Sequence, residues 1–212
     1  NSFSLCFPLV VRTFCLQIFM TWQARTASSL SDEAIAAHSI AKQTSSVCAL
    51  LVDSLAVAAQ SMVATSLAQD QLQAARRACN CLLMLGAGTG LAQASALFLG
   101  SRHVAEWMST DKEVLRLAAE VLPLVALMQL PGSITYVFDG VFLGAHDFVF
   151  LAKAMAISSG CGCLSLAWLR VGSSSGTTSL TGPWVAGLVF TSCRAISLSI
   201  RYYAPWLNGP LT

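Results

Sequence analysis

Residues 78–101 carry no charged side chain, and neither do residues 121–138 or 171–193. A hydrocarbon core about 30 Å thick takes roughly 20 mostly apolar residues to cross as a helix. Only 10% of the chain is charged, against about 25% in typical soluble domains, and mean hydropathy is +0.66. A closed β-barrel is the other structure that satisfies its backbone in lipid, but it reads as strands of about ten residues alternating apolar and polar. Here the runs are long, rich in Ala and Leu and without alternation. The sequence is that of an all-α polytopic membrane protein.

A span with its connection takes roughly 30 to 35 residues, so 212 residues hold about six. The expected spans are 5–27, 34–68, 78–100, 114–144, 148–171 and 183–203, forming one six-helix domain over residues 1–212. Pro123 and the Pro131-Gly132 pair are expected to interrupt the fourth. The Ser/Gly/Thr-rich stretch 172–182 reads as a linker, and Trp184, Tyr202, Tyr203 and Trp206 as interfacial aromatics. The lipid bilayer is the first partner. No basic block invites nucleic acid, and Lys and Arg fall on both sides, so charge does not orient the chain. The first segment lacks the basic opening and cleavage site of a signal peptide. The chain opens on Asn1, as expected of a processed chain or of a sequence whose beginning lies upstream.

In lipid the charges inside spans are the informative residues. Asp53 sits mid-span in Leu50-Leu51-Val52-Asp53-Ser54-Leu55, on a polar stripe with Lys42, Ser46 and Gln60. It reads either as part of a substrate or ion pathway or as an interhelical hydrogen bond. Asp139 follows Tyr136-Val137-Phe138, two turns beyond Pro131-Gly132, and shares its face with Gly132, Thr135, Tyr136 and His146. It reads either as a cavity-lining acid, as in the broken helices of transporters, or as a snorkelling acid beyond a kink. Two acids on separate spans suit a protonation or cation switch. Arg12, Glu120 and Arg194 read as paired or snorkelling, and His38 with Lys42 as facing a headgroup region. Gly86 to Gly90 lies in too long an apolar run for a nucleotide loop, and Gly140 to Gly144 repeats its G-x-x-x-G spacing; both are expected to pack helices closely. Cys79-x-Cys81 and Cys161-x-Cys163 come without a C-x-x-C pair or a His at ligand spacing, so no metal site and no cofactor is expected. No Ser/His/Asp set converges, and an enzyme is not expected.

Two segments resemble the MATE (multidrug and toxic compound extrusion) family, in its DinF branch of plant and algal type. One runs from Ala34-Ile35-Ala36-Ala37-His38 through Asp53-Ser54-Leu55-Ala56-Val57-Ala58-Ala59-Gln60. The other is Asp139-Gly140-Val141-Phe142-Leu143-Gly144-Ala145-His146-Asp147-Phe148. Val11-Arg12-Thr13, Ala24-Arg25-Thr26 and Arg194-Ala195-Ile196-Ser197-Leu198 add to the likeness. A complete member has twelve spans in two lobes around a central cavity, and this chain resembles the second lobe. The resemblance implies a secondary active antiporter exporting organic solutes or xenobiotics, driven by a proton or sodium gradient. Asp53, Gln60, Tyr136 and Asp139 are then candidates for the pathway, with a small organic substrate and the missing N-terminal lobe as partners. Membranes of the plastid envelope, vacuole or cell surface are the implied locations. The alternative is a truncated half-transporter acting as a non-transporting membrane module.

Overall fold

The computed structural model describes residues 2–172 and 179–204. Six helices follow one another: α1 (Ser2–Ser28), α2 (Asp32–Ala68), α3 (Leu72–Met108), α4 (Lys112–Gly144), α5 (Phe148–Gly172) and α6 (Thr181–Tyr203). Helices α2 to α6 are long and apolar enough to cross a membrane. Helix α1 is not among them by its described residues; Arg12, Gln17, Gln23 and Arg25 punctuate it. Helix α3 continues past the apolar segment 78–100 at both ends, because its flanking charges pair along the helix: Arg102 donates to Glu106 one turn on, at 3.2 Å.

Local chemistry sets the turns. The Ser31 hydroxyl accepts from the Ala34 amide at 3.1 Å and starts α2; Asp111 does the same for α4, accepting from Glu113 and Val114. Helices α2 and α4 end alike. The Gln71 amide reaches back to the Ser66 carbonyl at 2.9 Å and the Asp147 amide to Phe142 at 3.0 Å, with Asp70 and His146 left-handed at φ 55 and 59. That is the Schellman stop, with a non-glycine residue in the left-handed position. The first of these three-residue connections returns α3 beside α2, whereas the second sends α5 away from α4 to pack on α1 and α6.

Helix α4 is the hub, packing against α2, α3 and α6, while α1 packs mainly against α5. One apolar cluster joins α2, α3 and α4 around Ala41, Leu122 and Val125; a second joins their other ends around Val63, Phe138 and Phe142. A third, of Phe19, Met155 and Phe190, binds α1, α5 and α6, with the two phenyl rings stacked at 4.6 Å. The outer surface is apolar as well: Leu50, Met84, Leu99, Leu164 and Trp168 are all exposed, as lipid-facing positions are.

Three expectations change. Helix α4 runs unbroken through Pro123 and Pro131; beyond Pro131, Ser133 donates to the Leu130 carbonyl at 2.9 Å and Thr135 to the Pro131 carbonyl at 2.7 Å, back-bonds onto the same helix. Trp184 is buried, not interfacial, and lies against a buried His38 with ring centroids 5.3 Å apart. Tyr202 packs on Phe138 and donates to Asn80 at 3.0 Å. Trp206 and most of the linker expected at 172–182 lie outside the described residues.

The four glycines of the two G-x-x-x-G spacings mark where backbones meet. A Cβ on Gly140 would collide with the Ala56 carbonyl oxygen of α2, and one on Gly144 would lie 2.5 Å from the Gln60 carbonyl oxygen. One to two turns earlier on α4, a Cβ on Gly86 of α3 would lie 2.7 Å from Val137, and one on Gly90 would strike Ser133. Gly88 has nothing within 4 Å. Leucine at Gly140 or Gly144 is therefore expected to destabilise the bundle by about 1–3 kcal/mol or more, lowering the detergent melting temperature and the yield of folded protein. Gly88→Leu should leave both unchanged; equal behaviour of the three variants would contradict this packing.

Candidate functional site

Asp139 lies near the C-terminal end of α4, five residues before Gly144, and is buried at 5% exposure. Two guanidiniums converge on it. Arg194 of α6, itself buried, donates through Nη2 to Oδ2 in a short ion pair. Arg12 of α1 donates to the same oxygen at 2.9 Å. Oδ1 of Asp139 and Nε of Arg12 are buried with no partner among the described residues. One carboxylate thus faces two fixed cations and leaves a net positive charge at membrane depth. Charge-assisted bonds of this kind are strong, but only while the carboxylate stays ionised.

The backbone places the acid. Gly140, the next residue, lies against the Ala56 backbone, so α4 is pinned to α2 one step from the carboxylate. Tyr136, one turn earlier, is 37% exposed and lies within Coulomb reach of Arg194, Asp139, Asp53 and Arg12. Asp53 is three residues before Ala56 on α2 and is exposed. Asp139, Tyr136 and Asp53 therefore share one neighbourhood formed by α1, α2, α4 and α6. Gln60 does not join it: seven residues from Asp53 is roughly 10 Å of helix, and its carbonyl faces Gly144. Thr135 turns to its own backbone, and His146 sits in the turn beyond α4 against Phe148.

Arg12 and Arg194 are the residues a reading for acids passes over. The signal was present: each is an isolated charge of opposite sign within an apolar span, and such charges pair with one another. What the sequence does not say is that both choose one acid. Two buried amides make further interhelical bonds, Gln23 to the Pro183 carbonyl at 2.8 Å and Gln93 to the Cys48 carbonyl at 3.0 Å. These stitch α1 to α6 and α3 to α2 without charge. Glu120 pairs with Arg116 at 2.7 Å on the exposed surface of α4.

Comparison with known proteins agrees with this architecture. Residues 8–169 match the MatE family. Protein DETOXIFICATION 44, chloroplastic, of Arabidopsis thaliana is 31% identical over 201 residues, covering 93% of this chain and 38% of that protein. A probable multidrug resistance protein NorM of Pasteurella multocida is 28% identical over 144 residues, 68% of this chain and 31% of the relative. The chain thus spans well under half the length of the curated relatives it matches. Among solved structures, MATE in complex with MaL6 superposes with a TM-score of 0.87 at 16% identity, over 95% of this chain and 44% of the other. A MOP superfamily transporter from Pyrococcus furiosus does so with a TM-score of 0.85 at 15% identity. These six helices have the fold of part of such a transporter, and the chain, an integral membrane protein, belongs to the MATE family.

Proposed function

We propose that the chain is the C-terminal lobe of a secondary active antiporter that exports organic solutes, with proton uptake at Asp139 as the coupling event. The carrying observation is the convergence of Arg12 and Arg194 on one buried carboxylate. With Asp139 ionised, α1, α4 and α6 are drawn together. Once it is protonated, the buried Arg194 and the half-buried Arg12 guanidiniums are left without that anion and repel. Helix α1 packs chiefly on α5 and only lightly on α2 and α6, so it is the element placed to yield. A proton adds to the carboxyl directly, whereas Na⁺ would have to displace two cations already there. The cluster therefore favours the proton of the two coupling ions.

A ligand shifts a conformational equilibrium only by its differential affinity for the two states. Here the difference is explicit: the proton binds well only where the arginines have moved away. In a two-lobed transporter that movement would feed the rocking of one lobe against the other around the substrate. Asp53 and Tyr136, exposed beside the cluster, are the groups that would meet an organic cation or the returning proton.

Two expectations test the scheme in the full-length protein reconstituted into vesicles. Asp139→Asn keeps the accepting oxygen but not the charge, and breaking a buried ion pair costs about 3–5 kcal/mol. It should lower the melting temperature and cut gradient-driven export at least about tenfold. The double variant Asp139→Asn with Arg12→Gln lowers the net charge again; it should recover stability but not export. Recovery of export in that variant would show that Asp139 only holds the helices together.

Asp53→Asn should leave the amount and stability of the protein unchanged, since Asp53 is exposed and makes no ion pair among the described residues. Export should fall several-fold and lose part of its dependence on external pH. Transport at the parent rate across pH 6 to 8 would remove Asp53 from the pathway.

A further inference from the structure

A second basic feature lies away from Asp139. Arg25 stands in the last turn of α1 and Arg170 in the last turn of α5. Both line a groove of about 780 Å³ between these helices. Arg170 donates to the Ser29 hydroxyl at a long 3.4 Å, and neither guanidinium has an acidic partner among the described residues. No acidic side chain lines the groove.

Gln17, Thr21 and Ser29 add neutral polar groups to the lining, and its apolar side chains are ordered along one face of α1. Phe14, Ile18 and Trp22 follow at four-residue intervals and lead to Arg25. Phe14 and Ile18 are exposed and Trp22 is half-buried. From Phe14 to Arg25 the helix rises roughly 16 Å, close to half of a hydrocarbon core about 30 Å thick. The groove is thus one leaflet deep, with a tryptophan and two arginines at its polar end. A lipid phosphate takes bidentate donation from guanidinium; a zwitterionic choline lipid offers the same phosphate but brings a trimethylammonium beside two arginines, so a lipid of net negative charge is favoured.

We propose that this groove binds an anionic phospholipid, its phosphate held between Arg25 and Arg170 and one acyl chain lying along Phe14, Ile18 and Trp22. The site joins α1 to α5 at the end of α1 that Gln23 also ties to α6. An anionic lipid there offsets one of the two positive charges that line the groove, and it clamps α1 against α5.

Brominated phospholipids test this, because bromine quenches a tryptophan it touches. The full-length protein in neutral detergent is titrated with brominated phosphatidylglycerol or brominated phosphatidylcholine of the same chains, and Trp22→Phe isolates the Trp22 signal. Phosphatidylglycerol should quench Trp22 at a concentration about tenfold lower than phosphatidylcholine. R25Q/R170Q should erase that preference and leave the phosphatidylcholine curve in place. Should the double variant not fold, Ile18→Trp, which fills the apolar wall and spares both arginines, should weaken phosphatidylglycerol binding to a similar degree. Equal binding of the two lipids, a preference untouched by R25Q/R170Q or by Ile18→Trp, or displacement of the lipid by free glycerol phosphate at equal concentration would overturn the proposal.

Discussion

The backbone of α4 approaches that of α2 so closely at Gly140 that no side chain fits between Gly140 and the Ala56 carbonyl, and the rest of the bundle is arranged around that approach. Lipid tails are as apolar as leucine, so hydrophobicity does not drive two helices together inside a membrane; surface fit does. Glycine supplies the fit to both neighbours, with Gly140 and Gly144 of α4 toward α2, and Gly86 and Gly90 of α3 receiving Val137 and Ser133. The contact is also a positioning device. Because Asp139 precedes Gly140, the helix-helix contact fixes where the carboxylate enters the bundle, and the arginines of α1 and α6 must come to it.

Charge then does what packing leaves undone. Helix α1 carries too many polar residues to be held by apolar burial alone, and its packing is mainly with α5. Arg12 ties it to α4 through Asp139, and Gln23 ties it to α6 through the Pro183 carbonyl. The first bond is an ion pair and the second is neutral, so α1 is held by two interactions of different kind. The same helix carries Arg25 at its end, so both basic features of the structure act on its most weakly packed element.

The prolines of α4 show how a membrane helix absorbs sequence that would end a soluble one. Each proline lacks an amide proton and leaves a carbonyl one turn back without its helical bond. In water that carbonyl would be hydrated. Here α4 continues through both prolines to Gly144, held by its packing against α2, α3 and α6, while Ser133, Thr135 and Gln129 turn their polar groups onto other carbonyls of the same helix. Its continuity keeps Asp139, Gly140 and Gly144 in register with α2.

The sequence by itself determined that the chain spans a membrane, where its helices fall, and which residues are anomalous in that setting. Long uncharged runs allow no other backbone solution, and a single acid or arginine within one is visible without a structure. The G-x-x-x-G spacings pointed to close contacts, although not to which helix each meets. Tertiary structure decided the partners. Asp53 and Asp139 look equivalent in sequence, each a lone acid in an apolar helix; yet one is exposed and the other buried beneath two arginines. Nothing local distinguishes them, since burial depends on which helices pack against that face. The meeting of Arg12 and Arg194 across 182 residues of chain is likewise a product of the fold, because pairing in lipid follows distance in space, and that distance is set by how six helices close around α4.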